Sequence, residues 1–179
     1  MIKLTKIEKS NPDKVILEEI NVEAIPECER NSLDDLIDTG AEVLGIYLNN
    51  KPAGYFVLRK YKLISYLAYF AVSSELRSKG IGSEALTLLI KNNKDNQMVV
   101  EYENPSNKDS DDIKGRRRNF YLRNGFYETG WYTFYDETEF AIGYRPCVAG
   151  SAERIMYEAD LPGFFFNAPS AALPAIVVP

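Results

Sequence analysis

Residues 63–72 read Leu-Ile-Ser-Tyr-Leu-Ala-Tyr-Phe-Ala-Val, a stretch with almost no polar side chain. It is too short to span a membrane helically, which needs ~18 apolar residues. Such a stretch reads instead as a strand near the centre of a sheet, with both faces covered. The chain then changes abruptly to Ser-Ser-Glu-Leu-Arg-Ser-Lys-Gly-Ile-Gly over residues 73–82. From Ser83 the apolar positions Ala85, Leu86, Leu88, Leu89 and Ile90 mark an amphipathic helix to Asn92. A buried strand near the centre of the sheet is thus followed by a glycine-rich turn and a helix.

The flanking segments extend this pattern. Residues 1–9 alternate as a first strand, and residues 12–24 read as a helix opened by Asn11-Pro12. Ser32-Leu-Asp-Asp35 has capping-box-like spacing and starts a short helix ended by Gly40. Strands over 43–48 and 53–60 flank the turn Asn49-Asn50-Lys51-Pro52. Residues 98–102 are a further buried strand, 113–123 a basic helix stopped at Asn124-Gly125, and 126–135 and 139–144 a closing aromatic-rich pair. The order β-α-α-β-β-β-α-β-α-β-β predicts a mixed α/β (α+β) domain with an antiparallel beginning, over residues 1–144. Residues 145–179 hold five of the nine prolines. They are read as a strand over 153–158 and a Pro/Ala-rich tail, which either packs on the domain or a partner subunit or frays. Pro162, Pro169 and Pro174 interrupt the tail, so it is not a spanning helix.

Composition excludes several chemistries. The 179 residues include no histidine, which removes Ser-His-Asp, Cys-His and zincin machinery. Cys28 and Cys147 are too isolated for a metal cluster or a disulfide framework, and suit a reducing compartment. No metal is expected. The net charge of −5 disfavours nucleic acid, whose binding requires neutralised phosphates, and suits a cationic substrate. Residues 1–10 lack the apolar core of a secretory signal, so a cytoplasmic, membrane-free protein is expected.

The turn Arg77-Ser78-Lys79-Gly80-Ile81-Gly82-Ser83 places flexible backbone amides at a helix N-terminus, with Arg77 and Lys79 adding charge. That is an anion cradle, or else a plain strand-to-helix turn. It is neither a P-loop nor a dinucleotide fingerprint, because both glycine patterns are incomplete. Val72-x4-Arg77-x-x-Gly80-x-Gly82 resembles the Arg/Gln-x-x-Gly-x-Gly/Ala motif of the GNAT superfamily of acyl-CoA-dependent N-acetyltransferases. Phe120-Tyr121-Leu-Arg-Asn-Gly125-Phe126 is similar to that superfamily's second signature and follows 39 residues later, from 82 to 121.

The resemblance covers residues 1–144. It implies a mostly antiparallel sheet flanked by helices with splayed middle strands, and acetyl-CoA as co-substrate. It assigns the pyrophosphate to residues 77–83, and the pantetheine and thioester to backbone amides near Phe70, Ala71 and Val72. It makes Tyr121 the general acid, with its hydroxyl at the mouth of the strands while Phe120 packs inward. Glu101 and Glu103 share a strand face, and either is a candidate base, directly or through water. The acceptor is a small-molecule or peptide amine, drawn to a rim that includes Glu128 and Asp136, and a homodimer is left open. Lys114 and Arg117 stand where many members carry Asn and Ala. Arg116, Arg117, Arg118 and Arg123 form a cluster that is either a solvated helix face or a contact for coenzyme A phosphates. The alternative function is a coenzyme A-binding regulatory module without turnover.

Overall fold

The computed structural model describes residues 1–61, 63–106, 111–135 and 137–147, and the backbone of 175–177. They fall into two compact units, one of residues 1–60 and 66–92, the other of residues 61–65 and 93 onward. The expected strand at 153–158, most of the tail and Asp136 lie outside the described residues.

In the first unit, β1 (Ile2–Lys6), β2 (Glu42–Leu48), β3 (Lys51–Tyr61) and most of β4 (Ile64–Val72) lie side by side in chain order. The β1–β2 and β2–β3 pairs are antiparallel. Asn49 and Asn50 both adopt positive φ, 52° and 64°. That is the two-residue turn whose twist matches a hairpin, and Asn tolerates it well. Helices α1 (Lys14–Ala24) and α2 (Leu33–Asp38) cover a core of Ile7, Leu17, Leu36, Val43, Tyr55 and Val57. The Ser32 side chain accepts from the Asp35 N–H at 3.1 Å, so this serine caps α2 as its spacing suggests. One polar residue in this core, Asn21, is fully buried and satisfied: it accepts from the Tyr55 hydroxyl at 2.7 Å and donates to the Asn31 carbonyl at 2.9 Å.

Helix α3 (Ile81–Asn92) buries Ala85, Leu86 and Leu89. It begins two residues before the Ser83 start expected from periodicity. Gly80 takes φ +80°, and its carbonyl already accepts the Glu84 N–H at 3.0 Å. Gly82 and Ser83 thus belong to the first turn of the helix.

The second unit carries β5 (Gln97–Glu103), α4 (Ile113–Arg123), β6 (Tyr127–Tyr135), β7 (Thr138–Arg145) and β8 (Ala175–Val177), with strands in the order β5-β7-β6-β8. All three of these pairings are antiparallel. The first residues of β4 also belong here: the Gln97 N–H donates to the Leu63 carbonyl at 2.8 Å, and the Asn96 amide to Ser65 Oγ at 3.0 Å. The chain is thus a mixed α/β fold, mostly antiparallel and flanked by helices. No helix among the described residues is long and apolar enough to cross a membrane.

Candidate active site

The chemistry expected from the sequence falls into two constellations, one in each unit. In the first unit, β4 leads into a short 3-10 turn at Ser74–Leu76 and then into the exposed residues Arg77 to Gly80. Ser78 adopts φ +60° and Gly80 φ +80°, so two left-handed residues reverse the chain into α3. A helix leaves its first N–H groups without partners inside the helix, at the positive end of its dipole. The turn that delivers α3 therefore presents amides of residues 81–83 beside an exposed Lys79, which fits a pyrophosphate. Arg77 is not part of that presentation. Its Nε donates to the Val72 carbonyl at 2.9 Å, and its guanidinium lies 3.6 Å from Glu23. The arginine fastens the end of β4 instead of reaching outward.

A further bond sets the direction of the β4 backbone. The Ser73 N–H donates to the Ala53 carbonyl of β3 at 2.9 Å. Backbone direction alternates along a strand, so Ala71 also turns toward β3, while Phe70 and Val72 turn to the opposite edge. Of the three residues expected to offer amides, two share the edge away from β3.

In the second unit the Tyr-x-x-x-Gly-Phe spacing is the end of α4. The Gly125 N–H donates to the Leu122 carbonyl at 3.0 Å, and the Phe126 N–H to the Tyr121 carbonyl at 3.1 Å. That is a Schellman cap, with Gly125 at φ +81° and the accompanying apolar contact between Tyr121 and Phe126, whose centroids are 5.4 Å apart. Arg145, the last residue of β7, donates to the Asn124 and Gly125 carbonyls at 3.0 and 3.1 Å and closes the cap from outside.

Tyr121 is buried, 6% exposed, and stacks on Tyr102 at 5.6 Å with planes 19° apart. Phe120 is the more exposed of the pair, so the inward-packing assignment is reversed. The reason is register: the residue three before the left-handed glycine's helical neighbour must meet the residue following that glycine. Burial pushes the Tyr121 hydroxyl up to about 12, partly opposed by the nearby positive charge of Arg117.

Glu101 and Glu103 pair in register with Ile142 and Phe140 of β7, on one face of β5. Tyr102 lies between them and meets Tyr121, so Glu101 and Tyr121 occupy opposite faces of β5. Glu101 accepts from Thr133 Oγ1 at 2.5 Å and from the Tyr135 hydroxyl at 3.0 Å. Glu103, at the strand end, lies 3.2 Å from Lys114 of α4. The lysine at the superfamily's Asn position thus holds a carboxylate.

The arginine cluster divides in the same way. Arg118 grips Glu128 through two bonds of 3.0 and 2.7 Å, with its side chain only 14% exposed. Tyr102 also reaches Glu128, at 3.3 Å. Glu128 is therefore a structural partner, not a rim carboxylate, and Arg118 is not available to a phosphate. Arg116 and Arg117 are exposed, and Arg123 lies over the Phe120 ring at 5.4 Å. Sequence reasoning missed Thr133 and Tyr135; their i, i+2 spacing on β6 was visible, but their common partner two strands away was not.

A family model described as an acetyltransferase (GNAT) domain matches residues 39–128, which include the turn at 77–83, Glu101, Glu103 and the Tyr121 cap. The chain belongs to the GNAT acetyltransferase family. Among solved structures it is similar to a protein described as a GNAT-family acetyltransferase from Bacteroides thetaiotaomicron, with TM-score 0.72 and 24% identity over 90% of this chain and 93% of that one. It is also similar to the ribosomal-protein-S18-alanine N-acetyltransferase of Escherichia coli, with TM-score 0.64 and 16% identity over 88% and 100% of the two chains. A GNAT acetyltransferase from Elizabethkingia anophelis, solved with acetyl-CoA bound, gives TM-score 0.58 and 18% identity over 80% and 97%. These likenesses are likenesses of fold. No curated protein matches the chain.

Proposed function

We propose that this chain transfers an acetyl group from acetyl-CoA to a primary amine by direct attack in a ternary complex. The observation that carries the reading is the strand-to-helix turn of residues 77–83, which presents the first amides of α3 behind two left-handed residues. Bound acetyl-CoA supplies the thioester. Ser78 to Ser83 hold its pyrophosphate through backbone amides and Lys79, while Arg77 fixes the strand end that aims the turn. The backbone amides of Phe70 and Val72, on the edge of β4 away from β3, are assigned to the pantetheine and the carbonyl. Tyr121 donates a proton to the leaving sulfur, and Glu101 or Glu103 takes the proton that the amine must lose.

Support for a cationic acceptor is the net charge of −5. The acceptor is a small-molecule or peptide amine; the Escherichia coli neighbour is named for an alanine of a ribosomal protein. Consumption of acetyl-CoA with a panel of polyamines, arylethylamines, aminoglycosides and short peptides tests the reading. Amine-dependent release of thiol is expected, and a folded protein that binds coenzyme A with no turnover on any of them would overturn it. One observation favours the regulatory module instead: Tyr121 packs like a core aromatic, and its proton is held more tightly than that of free phenol. The same assay decides between the two.

A further inference from the structure

Two helices of this chain expose one pattern with opposite charge. On α1, Val15 and Val22 stand at i and i+7, 65% and 56% exposed, with Glu19 between them at i+4. On α4, Ile113 and Phe120 stand at i and i+7, Ile113 65% exposed and Phe120 half-buried, with Arg117 between them at i+4. This spacing brings all three positions to one helix face. The buried faces lie elsewhere, at Leu17, Ile20 and Asn21 on α1 and at Gly115 and Tyr121 on α4. Each helix also carries charge that its own dipole disfavours. The first turn of α4 holds Lys114 and Arg116 and no acid, at the positive end. The last turn of α1 holds Glu23 and no base, at the negative end. Lys114 meets Glu103, and Glu23 lies 3.6 Å from Arg77. Glu19, Arg116 and Arg117 form no ion pair among the described residues.

The α1 face is also concave. Val15, Glu19 and Val22 line a shallow depression with Lys14, Glu18 and Asp34. Lys14 pairs with Asp34, and Glu18 accepts from the Leu33 N–H at 2.9 Å, which leaves Glu19 as the carboxylate open to a newcomer. Valines beside a carboxylate suit an arginine, whose aliphatic stem packs on the apolar groups while its guanidinium meets the acid. We propose that the α1 face of one copy docks on the α4 face of a second copy. Val15 and Val22 cover Ile113 and the rim of Phe120, and Glu19, at the centre of one face, meets Arg117 at the centre of the other. Central placement makes that pairing the same for either direction of the helices. The contact joins two different patches, so copies associate head to tail and either close into a ring or extend. A pair of three-turn helices covers less than the ~800 Å² per partner of a standard interface, so the association is weak, with Kd of ~10–100 µM. It does not depend on the acetyl-transfer reading.

The test is sedimentation velocity of the full chain across protein concentration, at ~0.05 M and ~0.5 M salt. The native protein is expected to associate at low salt, with Kd weakened about tenfold or more at high salt. Glu19→Arg and Arg117→Glu each set like charges at the centre of the contact, and each should weaken association about tenfold or more. An equal mixture of the two variants should associate as the native protein does, because the reversed α1 of one then faces the reversed α4 of the other. A chain carrying both changes should do the same. A native protein that stays monomeric well above ~100 µM would overturn the proposal. So would association indifferent to salt or to either reversal, or a mixture that associates no better than its components. Melting curves establish that each variant is folded. Should a reversal unfold the chain, Glu19→Gln and Arg117→Gln take its place, each expected to weaken association about threefold.

Discussion

Replacing Tyr121 by Phe removes one oxygen and keeps the ring. The ring makes the structural contacts: Tyr102 at 5.6 Å, and Phe120 and Phe126 at 5.4 Å each. No described residue hydrogen-bonds the hydroxyl, so the change should alter stability by less than about 1 kcal/mol. For a chain of this size that is a shift in Tm of at most ~2–4 °C. The chemical effect is of another order. Burial lifts this hydroxyl to about 12. A thiol ionises near ~8.5, so transferring the proton to a fully solvated thiolate is uphill by ~3–4 pH units, or ~5 kcal/mol. In the proposed role the tyrosine can work as an acid only if the sulfur develops its charge in similarly dry surroundings, where desolvation raises the thiol as well. Loss of such a donor should cost ~10²–10⁴ in kcat with little change in coenzyme A affinity. The assay is steady-state thiol release across pH 6 to 11, alongside calorimetric titration with coenzyme A and a melting curve. Because Tyr121 keeps its proton up to about pH 12, it should contribute no basic limb to the native profile below about pH 11. A Phe variant with kcat within about threefold of native would refute the acid role. A native basic limb near pH 10 that vanishes in the Phe variant would refute the claim that burial holds the proton.

Gly82→Val should weaken coenzyme A binding at least tenfold in a calorimetric titration while the protein stays folded, because a branched side chain in the first turn of α3 blocks close approach to its amides; unchanged affinity would remove the cradle. Gly125→Ala should destabilise by ~1–3 kcal/mol in thermal melts, since Gly125 sits at φ +81° and an added Cβ would collide with Arg145 Nη1; a native Tm would refute both the backbone strain and the Arg145 clamp. Alkaline stability should fall steeply above pH ~10, because burial raises Tyr47, Tyr55, Tyr102 and Tyr121 in the fold. Groups raised in this way stabilise the protein fully below their unfolded pKa near ~10 and lose that contribution as pH climbs through their folded values. Tyrosinate absorbance and circular dichroism should therefore change together, and complete ionisation with the fold intact would refute it.

Most elements were legible because each has a local cause. The Ser32 cap and the Gly125 stop are backbone requirements written in single residues, and each appears where its chemistry places it, while the turn expected over residues 49–52 narrows to Asn49 and Asn50 because Lys51 and Pro52 already pair in β3. The start of α3 was misjudged by two residues because periodicity registers only where apolar side chains begin. Gly80 and Gly82 carry no such signal, and the hydrogen bond from Glu84 to Gly80 decides the boundary instead.

The candidate site was legible in its parts and not in their partners. The motif at 120–126 pointed to a helix end but could not say which aromatic turns inward. The Schellman geometry decides that: the residue that meets Phe126 must be Tyr121, so Phe120 is left at the rim. Charge deceived for a related reason. Sequence shows Arg118, Lys114, Glu103 and Glu128 as free charges, yet side chains distant along the chain neutralise one another once β5, α4 and β6 are assembled. Arg77 is the clearest case. It sits in the motif as the residue expected to face a phosphate, but its guanidinium secures the Val72 carbonyl at the end of β4. The proposed anion site then draws on backbone amides more than on the arginine, because the last carbonyl of β4 is satisfied by Arg77 and the turn beyond it is held in one conformation.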